Sequence, residues 1–458
     1  MTAISLLPLR QRVIWAGGWS LLSHVLTQLM RLGGNLVLTR LLFPEAFGMM
    51  AIVFVLMTGL SLFSDLGIGQ SIVQNPRGEE PEFLDSAWTV QFLRGIAIWL
   101  VALAVAWALP GIVRQGWFRA DSVYADPMLP PVLSIYAFNA VLQGLETTRV
   151  ALAQRHLQLD VTTRIELISQ VAALAVMLVS AWLYHSIWAL VMGGLVSGIV
   201  RCWAGHAWLP GRRNKLKWDR NSVREILHFG KWIILLSMIG FLVLNGDRLL
   251  LGGLASVAEL GLYSIAYLMV GAASTLFSSM ASGIVFPAIS EVVRQRPDDL
   301  AHVYYRFQSL ADLFLFFFAG MLWSAGPALI GLLYDHRYIA VGSMLALLAQ
   351  GLVGMRYLIV DQCCLALGEL KLLIVSNGLR LMTLIAGVPL GYRMAGVDGA
   401  LSAIVLSQFA NWPVAIRFKL CNGLMHWPRE TIGVPAWCLG WSLGWICVRL
   451  LTGGSAPP

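Results

Sequence analysis

A stripe of polar side chains interrupts the first long apolar stretch of the chain, residues 13–42. Its members are His24, Gln28, Arg31 and Asn35. At 3.6 residues per turn these positions lie within roughly 60° of arc, so a helix would carry them on one face. Because an arginine near the middle of a bilayer costs about 2.5 to 3.5 kcal/mol to insert, it usually faces a protein interior, a water-filled cavity or a ligand. The stripe therefore predicts one wall of a polar pathway through a membrane transporter.

The fourth apolar stretch repeats this spacing with Asn139, Gln143 and Glu146. Arg356 and Arg380 lie in later apolar stretches. The planar guanidinium of arginine pairs with phosphate oxygens, whereas amide side chains exchange hydrogen bonds with hydroxyl groups. We interpret these five residues, together with the first stripe, as candidate ligand contacts.

Some of these residues have a structural alternative. Glu146 could serve only to neutralise Arg31, in which case neither side chain meets a ligand. His24 is either a carrier of a coupling proton or a plain hydrogen-bonding group. Both alternatives stay open at this point.

Two further pairs of charged residues lie close to the ends of apolar stretches. Asp65 and Arg94 are expected near the same membrane surface, where a structural ion pair is the favoured interpretation. Asp247 and Arg248 are adjacent, so on a helix they point to different faces. For this second pair we expect capping or gating rather than ligand binding.

The composition indicates that the elements holding these residues lie in a membrane. Hydrophobic residues make up 58% of the chain and charged residues 12%, and the mean hydropathy is +0.73. A soluble protein of this size could not bury so much apolar surface in one core. The net charge of +8 comes from basic residues between the apolar stretches, which points to membrane orientation and not to nucleic acid.

The cysteine pattern suggests neither a disulfide framework nor a metal site. Six cysteines are scattered in or beside apolar stretches without ligand spacing, so we expect free thiols. No metal or other cofactor is expected.

Apolar stretches of about 20 residues predict an all-helical integral membrane protein. The expected spans are 13–40, 45–67, 87–109, 130–152, 164–184, 187–208, 228–251, 259–288, 308–333, 340–367, 371–391 and 396–416, with a weaker thirteenth at 432–451. The strongest run of Lys and Arg follows the sixth span, which predicts a cytoplasmic loop there and a cytoplasmic N-terminus.

This basic loop divides the predicted spans into two halves of six. The expected organisation is an N-terminal lobe (1–208), a basic cytoplasmic linker (209–227), a C-terminal lobe (228–418) and an extra span with a tail (419–458). Weak similarity between the halves, such as Gly48 opposite Gly261, favours parallel repeats around a central cavity.

Three segments carry a resemblance to a known family. They are LTRLLFPEAFGMMAIVFVLMTGLSLFSDLGIGQSIVQ (38–74), SAWTVQFLRG (86–95) and LNGDRLLLGGLASVAELGLYSIAY (244–267). The chain resembles the polysaccharide transporters of the Wzx type within the multidrug/oligosaccharidyl-lipid/polysaccharide flippase superfamily. The resemblance implies a two-lobed helical protein of the bacterial inner membrane that moves undecaprenyl-pyrophosphate-linked oligosaccharides to the outer leaflet.

The residue chemistry suits such a substrate, which joins a compact anion to a hydroxyl-rich head. We expect Arg31 to contact the anion and the amides of span 130–152 to contact the sugar. Membrane lipids are expected partners, as are a polysaccharide polymerase and glycosyltransferases.

Two alternatives remain at this stage. A drug or cation antiporter of the same superfamily should line its cavity with carboxylates, yet arginines outnumber carboxylates in these spans. A membrane-embedded glycosyltransferase or polymerase would need a carboxylate or metal site and large loops, which the spacing of the spans does not favour. We therefore expect a protein that is not an enzyme.

Overall fold

The computed structural model of the protein describes residues 26–116, 118–156 and 158–451. His24 of the predicted polar stripe lies outside these residues. All of the regular secondary structure in the described part is helical, because a backbone in lipid must satisfy its hydrogen bonds internally.

The helices follow one another with short connections. They are α1 (described over 26–41), α2 (Pro44–Phe63), α3 (Ile68–Gln74), α4 (Pro81–Arg114), α5 (Leu129–Tyr136), α6 (Phe138–Gly144), α7 (Arg149–Arg155), α8 (Leu159–Tyr184), α9 (Trp188–Trp208), α10 (Arg220–Leu254), α11 (Val257–Met280), α12 (Phe286–Gln295), α13 (Leu300–Leu333), α14 (Val341–Ala349), α15 (Gly351–Gly354), α16 (Tyr357–Leu367), α17 (Leu370–Ser407), α18 (Trp412–Cys421), α19 (Trp427–Glu430) and α20 (Gly433–Leu451).

Nine helical segments of the described chain are long and apolar enough to cross a membrane. They are Pro44–Phe63, Pro81–Arg114, Asp160–Tyr184, Trp188–Trp208, Val257–Gln295, Pro297–Leu333, Val341–Leu367, Lys371–Cys421 and Trp427–Leu450. The prediction of an all-α integral membrane protein is confirmed.

The segment Lys371–Cys421 covers two predicted spans. Within α17 the backbone leaves the helical conformation at Ala395 and Gly396, and Gly396 has a φ of 61°. That left-handed conformation favours glycine, which lacks a Cβ. The two predicted spans are therefore separated by a tight turn at this point.

The fourth predicted span, 130–152, differs from expectation. It is broken into α5, α6 and α7, so Asn139, Gln143 and Glu146 do not share one continuous helix. Glu146 lies in the connection after α6.

The chain divides into two compact units, Met1–Leu242 (unit 1) and Val243–Pro458 (unit 2). The division falls inside α10, whereas the sequence analysis places a linker at 209–227. Because α10 begins at Arg220, the last part of that predicted linker is already helical. The predicted lobe boundaries and their relation as parallel repeats stay predictions.

The basic segment that precedes α10 is held against the first turns of α4. Asp85 is 3% exposed. Its carboxylate accepts hydrogen bonds from the Lys215 backbone N–H at 3.0 Å and from Arg212 Nη2 at 3.0 Å. The Lys217 backbone donates to Thr89 Oγ1 at 3.0 Å. These bonds give the segment a fixed path along unit 1.

In unit 2, α20 packs closely along α13. A Cβ on Gly320 would collide with the backbone at Trp437, so only a glycine allows this approach. Ser324 Oγ donates to the Trp441 carbonyl at 2.9 Å, and Trp437 Nε1 donates to Gln350 Oε1 at 3.0 Å. The weaker thirteenth predicted span is thus a helix of membrane-spanning length that is integrated into unit 2.

Candidate functional site

Unit 1 contains a polar cavity of about 200 Å³ among its apolar helices. We call it the unit 1 cavity. Residues from the end of α2, the α2–α3 loop, α3, α4, α6 and α9 line it. Its polar members are Ser61, Asp65, Gln70, Gln91, Arg94, Gln143, Glu146 and Arg201. Four residues that the sequence analysis named separately, Asp65, Arg94, Gln143 and Glu146, therefore meet at one cavity.

Arg94 reaches the end of α2 from α4. Its Nη2 donates to the Ser61 carbonyl at 2.6 Å and its Nε to Ser64 Oγ at 3.2 Å. Asp65 Oδ1 instead accepts from the Gly67 backbone at 2.9 Å. The two side chains share the cavity, but these bonds replace the direct ion pair that the sequence analysis favours.

Glu146 forms an ion pair with Arg201 of α9. Arg201 Nε donates to Glu146 Oε1 at 2.6 Å, and Arg201 Nη1 lies 3.8 Å from Glu166 Oε2. Sequence reasoning missed Arg201, although a lone arginine in the apolar run 188–208 was a visible signal. The sequence analysis offers Arg31 as the partner of Glu146, whereas the structure provides Arg201.

Gln91 holds the broken part of the fourth span in place. Its Nε2 donates to the carbonyls of Gln143 at 2.9 Å and Glu146 at 3.0 Å. The Gln143 carbonyl also accepts from the Glu146 backbone at 3.2 Å, so Gln91 adds a second hydrogen bond there and ties α4 to the end of α6. Gln91 is a second residue that sequence reasoning missed.

The remaining amide of span four and the described part of the first polar stripe lie elsewhere. Asn139 Nδ2 donates to the Gly194 carbonyl at 3.4 Å and packs α6 against α9. Gln28, Arg31 and Asn35 lie on α1, with Arg31 exposed and the other two half-buried. None of these residues lines the unit 1 cavity.

A second polar cluster lies in unit 2. Asp247 is 6% exposed and accepts a hydrogen bond from Tyr263 Oη, and its other oxygen has no partner among the described residues. Arg248 lies 4.0 Å from the centre of the Tyr267 ring, a cation–π contact. Tyr263 and Tyr267 lie one turn apart on α11, so these contacts leave the expected capping or gating role of the pair a prediction.

Arg380 joins this cluster from α17. Its electrostatic neighbours are Tyr267, Asp247 and Asp361. No hydrogen bond or ion pair joins Arg380 to another described residue, so its donors remain open to a further acceptor.

Arg356 belongs to a different, buried network in unit 2. Its Nη2 lies 2.7 Å from Asp312 Oδ2 and 2.9 Å from Glu430 Oε2. Lys419 Nζ lies 2.7 Å from Glu430 Oε1, while Asp312 is 0% exposed and Lys419 3% exposed. These ion pairs give Arg356 structural partners, while its Nε and Asp312 Oδ1 have no hydrogen-bond partner among the described residues. The ligand contact predicted for Arg356 stays a prediction.

The unit 1 cavity combines balanced charge with a high density of hydrogen-bonding groups. Two carboxylates and two guanidinium groups line it, and Gln70 and Gln143 add amide donors and acceptors. Gln91 adds an acceptor only, because its amide nitrogen holds backbone carbonyls. Within the described residues, no group of three or more His, Cys, Asp or Glu could hold a metal ion. The arrangement is suited to binding a neutral polar group by hydrogen bonds.

Comparison with known proteins identifies a family that this chain matches. Residues 37–342, more than half of the chain, match the model of the family described as polysaccharide biosynthesis protein. The lipopolysaccharide biosynthesis protein WzxC of Escherichia coli (strain K12) is 22% identical over 419 residues, covering 88% of this chain and 80% of that protein.

Two solved structures share the fold. An inward-facing multidrug resistance MATE family transporter of the MOP superfamily has a TM-score of 0.67 at 13% identity, covering 94% of this chain and 96% of the other. The lipid II flippase MurJ, in an inward closed conformation, also has a TM-score of 0.67. Its identity is 12%, and the match covers 96% of this chain and 100% of that chain. From the family match, the chain belongs to the polysaccharide biosynthesis protein family, and it shares the fold of these two transporters.

Proposed function

We propose that the protein is a flippase that moves a polyprenyl-pyrophosphate-linked oligosaccharide from the inner to the outer leaflet of the bacterial cytoplasmic membrane by alternating access. The similarity to WzxC and the fold shared with a lipid II flippase support this proposal. The partners that it implies are glycosyltransferases that build the substrate and a polymerase that consumes it.

The observation that carries the proposal is the unit 1 cavity. A cation or an isolated anion would favour a cavity of opposite charge, but the carboxylates and guanidinium groups here balance. Sugar hydroxyls both donate and accept, so they match the mixed set of amide, carboxylate and guanidinium groups. A drug or cation antiporter of the same superfamily is less well matched to this balance.

The cavity is small for the whole substrate. Its volume of about 200 Å³ is below the range of about 300–1,000 Å³ that is typical of sites for drug-sized ligands. We therefore assign it to one sugar unit of the head group. The remaining units and the lipid would lie outside it.

The charges of the unit 1 cavity balance, so we expect the pyrophosphate of the substrate to be bound by cations outside it. Arg31 remains our proposed anion contact in unit 1, and Arg380, with open donors, is proposed for unit 2. A pyrophosphate of about two negative charges that moves outward across an inside-negative membrane gains roughly 2.3 kcal/mol per charge per 100 mV. The membrane potential would therefore favour export.

We expect the double variant Gln70→Ala/Gln143→Ala to lower export at least about fivefold, because each amide loses about one hydrogen bond to the sugar at roughly 0.5–1.5 kcal/mol. The measurement is surface polysaccharide, with lipid-linked repeat units quantified in the inner leaflet of cells that lack the native protein. Both glutamine side chains are exposed to the cavity or solvent, so accumulation should be unchanged. Gln295→Ala, an exposed glutamine at the end of α12, is the matched control. Normal export by the double variant would exclude the cavity as a sugar site.

Arg31→Ala should insert and accumulate normally, since removing a charge lowers the cost of insertion. It should reduce export at least about tenfold, because a charged hydrogen bond to phosphate contributes roughly 1.5–3 kcal/mol. Arg31→Lys should retain part of the activity, as an ammonium group holds phosphate without the planar fork. The same export assay measures both variants, and full export by Arg31→Ala would remove this residue from the anion site.

A further inference from the structure

A second cavity in unit 1 lies apart from the one proposed for the sugar. Its volume is about 590 Å³, and its lining residues are Asn75, Arg77, Asn221, Arg224, Glu225 and His228. We call it the basic cavity. It is formed between the loop that joins α3 to α4 and the first turns of α10.

The floor of the basic cavity is a built hydrogen-bonded arrangement. Glu225 accepts from Arg77 Nη1 at 2.9 Å through one oxygen and from Asn75 Nδ2 at 2.9 Å through the other. Asn75 Oδ1 in turn accepts from the Arg77 backbone at 2.8 Å. These bonds fix the α3–α4 loop to α10, so the cavity does not depend on a chance arrangement of surface side chains.

The wall of the basic cavity has open donors. Asn221, Arg224 and His228 lie three to four residues apart on α10 and share one helix face. All three are exposed, and Arg224 and His228 make no hydrogen bond or ion pair with other described residues. An arginine and a histidine beside amide groups provide the donors that phosphate oxygens require.

The position of the basic cavity points to a lipid as the source of that phosphate. Its lining residues either precede the start of α4, a helix long and apolar enough to cross a membrane, or lie in the first turns of α10, ahead of the apolar sequence of that helix. Exposed apolar side chains stand beside its lining residues in sequence: Val73, 39% exposed, and Leu227, 48% exposed. A lipid whose headgroup phosphate binds Arg224 has acyl chains that are free to cover such apolar surface. A free phosphate has no chains and would leave the surface exposed.

We propose that the basic cavity binds the phosphate of an anionic phospholipid headgroup. The site lies outside the proposed sugar cavity, and it does not depend on which substrate the protein moves. Bound lipid would add an acceptor for Arg224 and His228 and would stabilise the contact between the α3–α4 loop and α10.

The test compares lipids on the purified full-length protein in detergent. Short-chain phosphatidylglycerol should raise the thermal midpoint and show saturable binding, whereas phosphatidylcholine with the same chains and inorganic phosphate at equal concentration should not. Arg224→Gln should weaken phosphatidylglycerol binding about fivefold, the effect of losing one interfacial cation, and Arg224→Gln/His228→Gln should weaken it further. Both residues are exposed, so the variants should fold.

Arg213→Gln is the matched control, since this exposed arginine belongs to the same basic region but does not line the cavity. It should leave binding unchanged. Equal weakening by Arg213→Gln would show general charge attraction in place of a site. Equal binding of phosphatidylcholine, or full competition by inorganic phosphate, would also overturn the proposal. Export by Arg224→Gln is measured separately and does not decide the result.

Discussion

Glu430→Ala should abolish stable accumulation of the protein. The change leaves Arg356 and Lys419 buried with Asp312 as their remaining carboxylate, since Glu430 contacts both cations at 2.9 Å and 2.7 Å. Removing one partner from a buried ion pair costs about 3–5 kcal/mol, a large fraction of the stability of a typical domain. The measurement is the amount of folded protein in membranes and its thermal midpoint after purification.

The charge argument predicts a rescue. Adding Lys419→Met to Glu430→Ala removes the excess cation and leaves Asp312 paired with Arg356 at 2.7 Å. We expect the double variant to recover much of the lost accumulation. Glu291→Ala, an exposed glutamate on α12, is the control and should behave like the unchanged protein. If Glu430→Ala accumulates normally, the network does not hold unit 2 together.

Single neutralisation of Glu146 or Arg201 should impair both accumulation and export. Each change leaves a charge without its 2.6 Å partner beside the unit 1 cavity. The cost should be about 2–3 kcal/mol, below that of a fully buried pair, because the side chains are 21% and 34% exposed. Accumulation and export are measured together in cells that lack the native protein.

The double variant Glu146→Gln/Arg201→Gln separates structure from substrate contact. Two amides can bond to each other, so accumulation should return, while export should remain at least about tenfold low because the cavity has lost both charged groups. The control removes the exposed pair Arg119 and Asp121, which should contribute little to stability. Full export by the double variant would mean that the pair has only a structural role.

The sequence predicts the helices well and their breaks poorly. Lipid requires long apolar helices, so the apolar pattern alone locates most spans, including the division of 371–416 into two. At the break after α6 in span 130–152, Gln91 donates to the carbonyls of Gln143 and Glu146 from 52 and 55 residues away. No local pattern reports such a distant donor.

The same limit applies to the candidate site. The chemistry of Gln143, Glu146 and Arg94 was visible in their residue types, and the structure brings them together. The ion pairs of Arg356 were not visible in the sequence, because its carboxylate partners lie 44 and 74 residues away in the chain. A charge in a span indicates that a partner or ligand exists but does not say which.

The late position of Glu430 in the chain has a consequence for biosynthesis. Ribosomes add about 5–20 residues per second, so Glu430 follows Arg356, 74 residues earlier, by about 4 to 15 seconds. During that interval Lys419 is also made, and the nascent unit carries two cations against the carboxylate of Asp312. A growing chain therefore reaches electrical neutrality in this region only when the segment leading into α20 has been translated. Nascent chains arrested before that point would carry one cation of this network without a carboxylate partner.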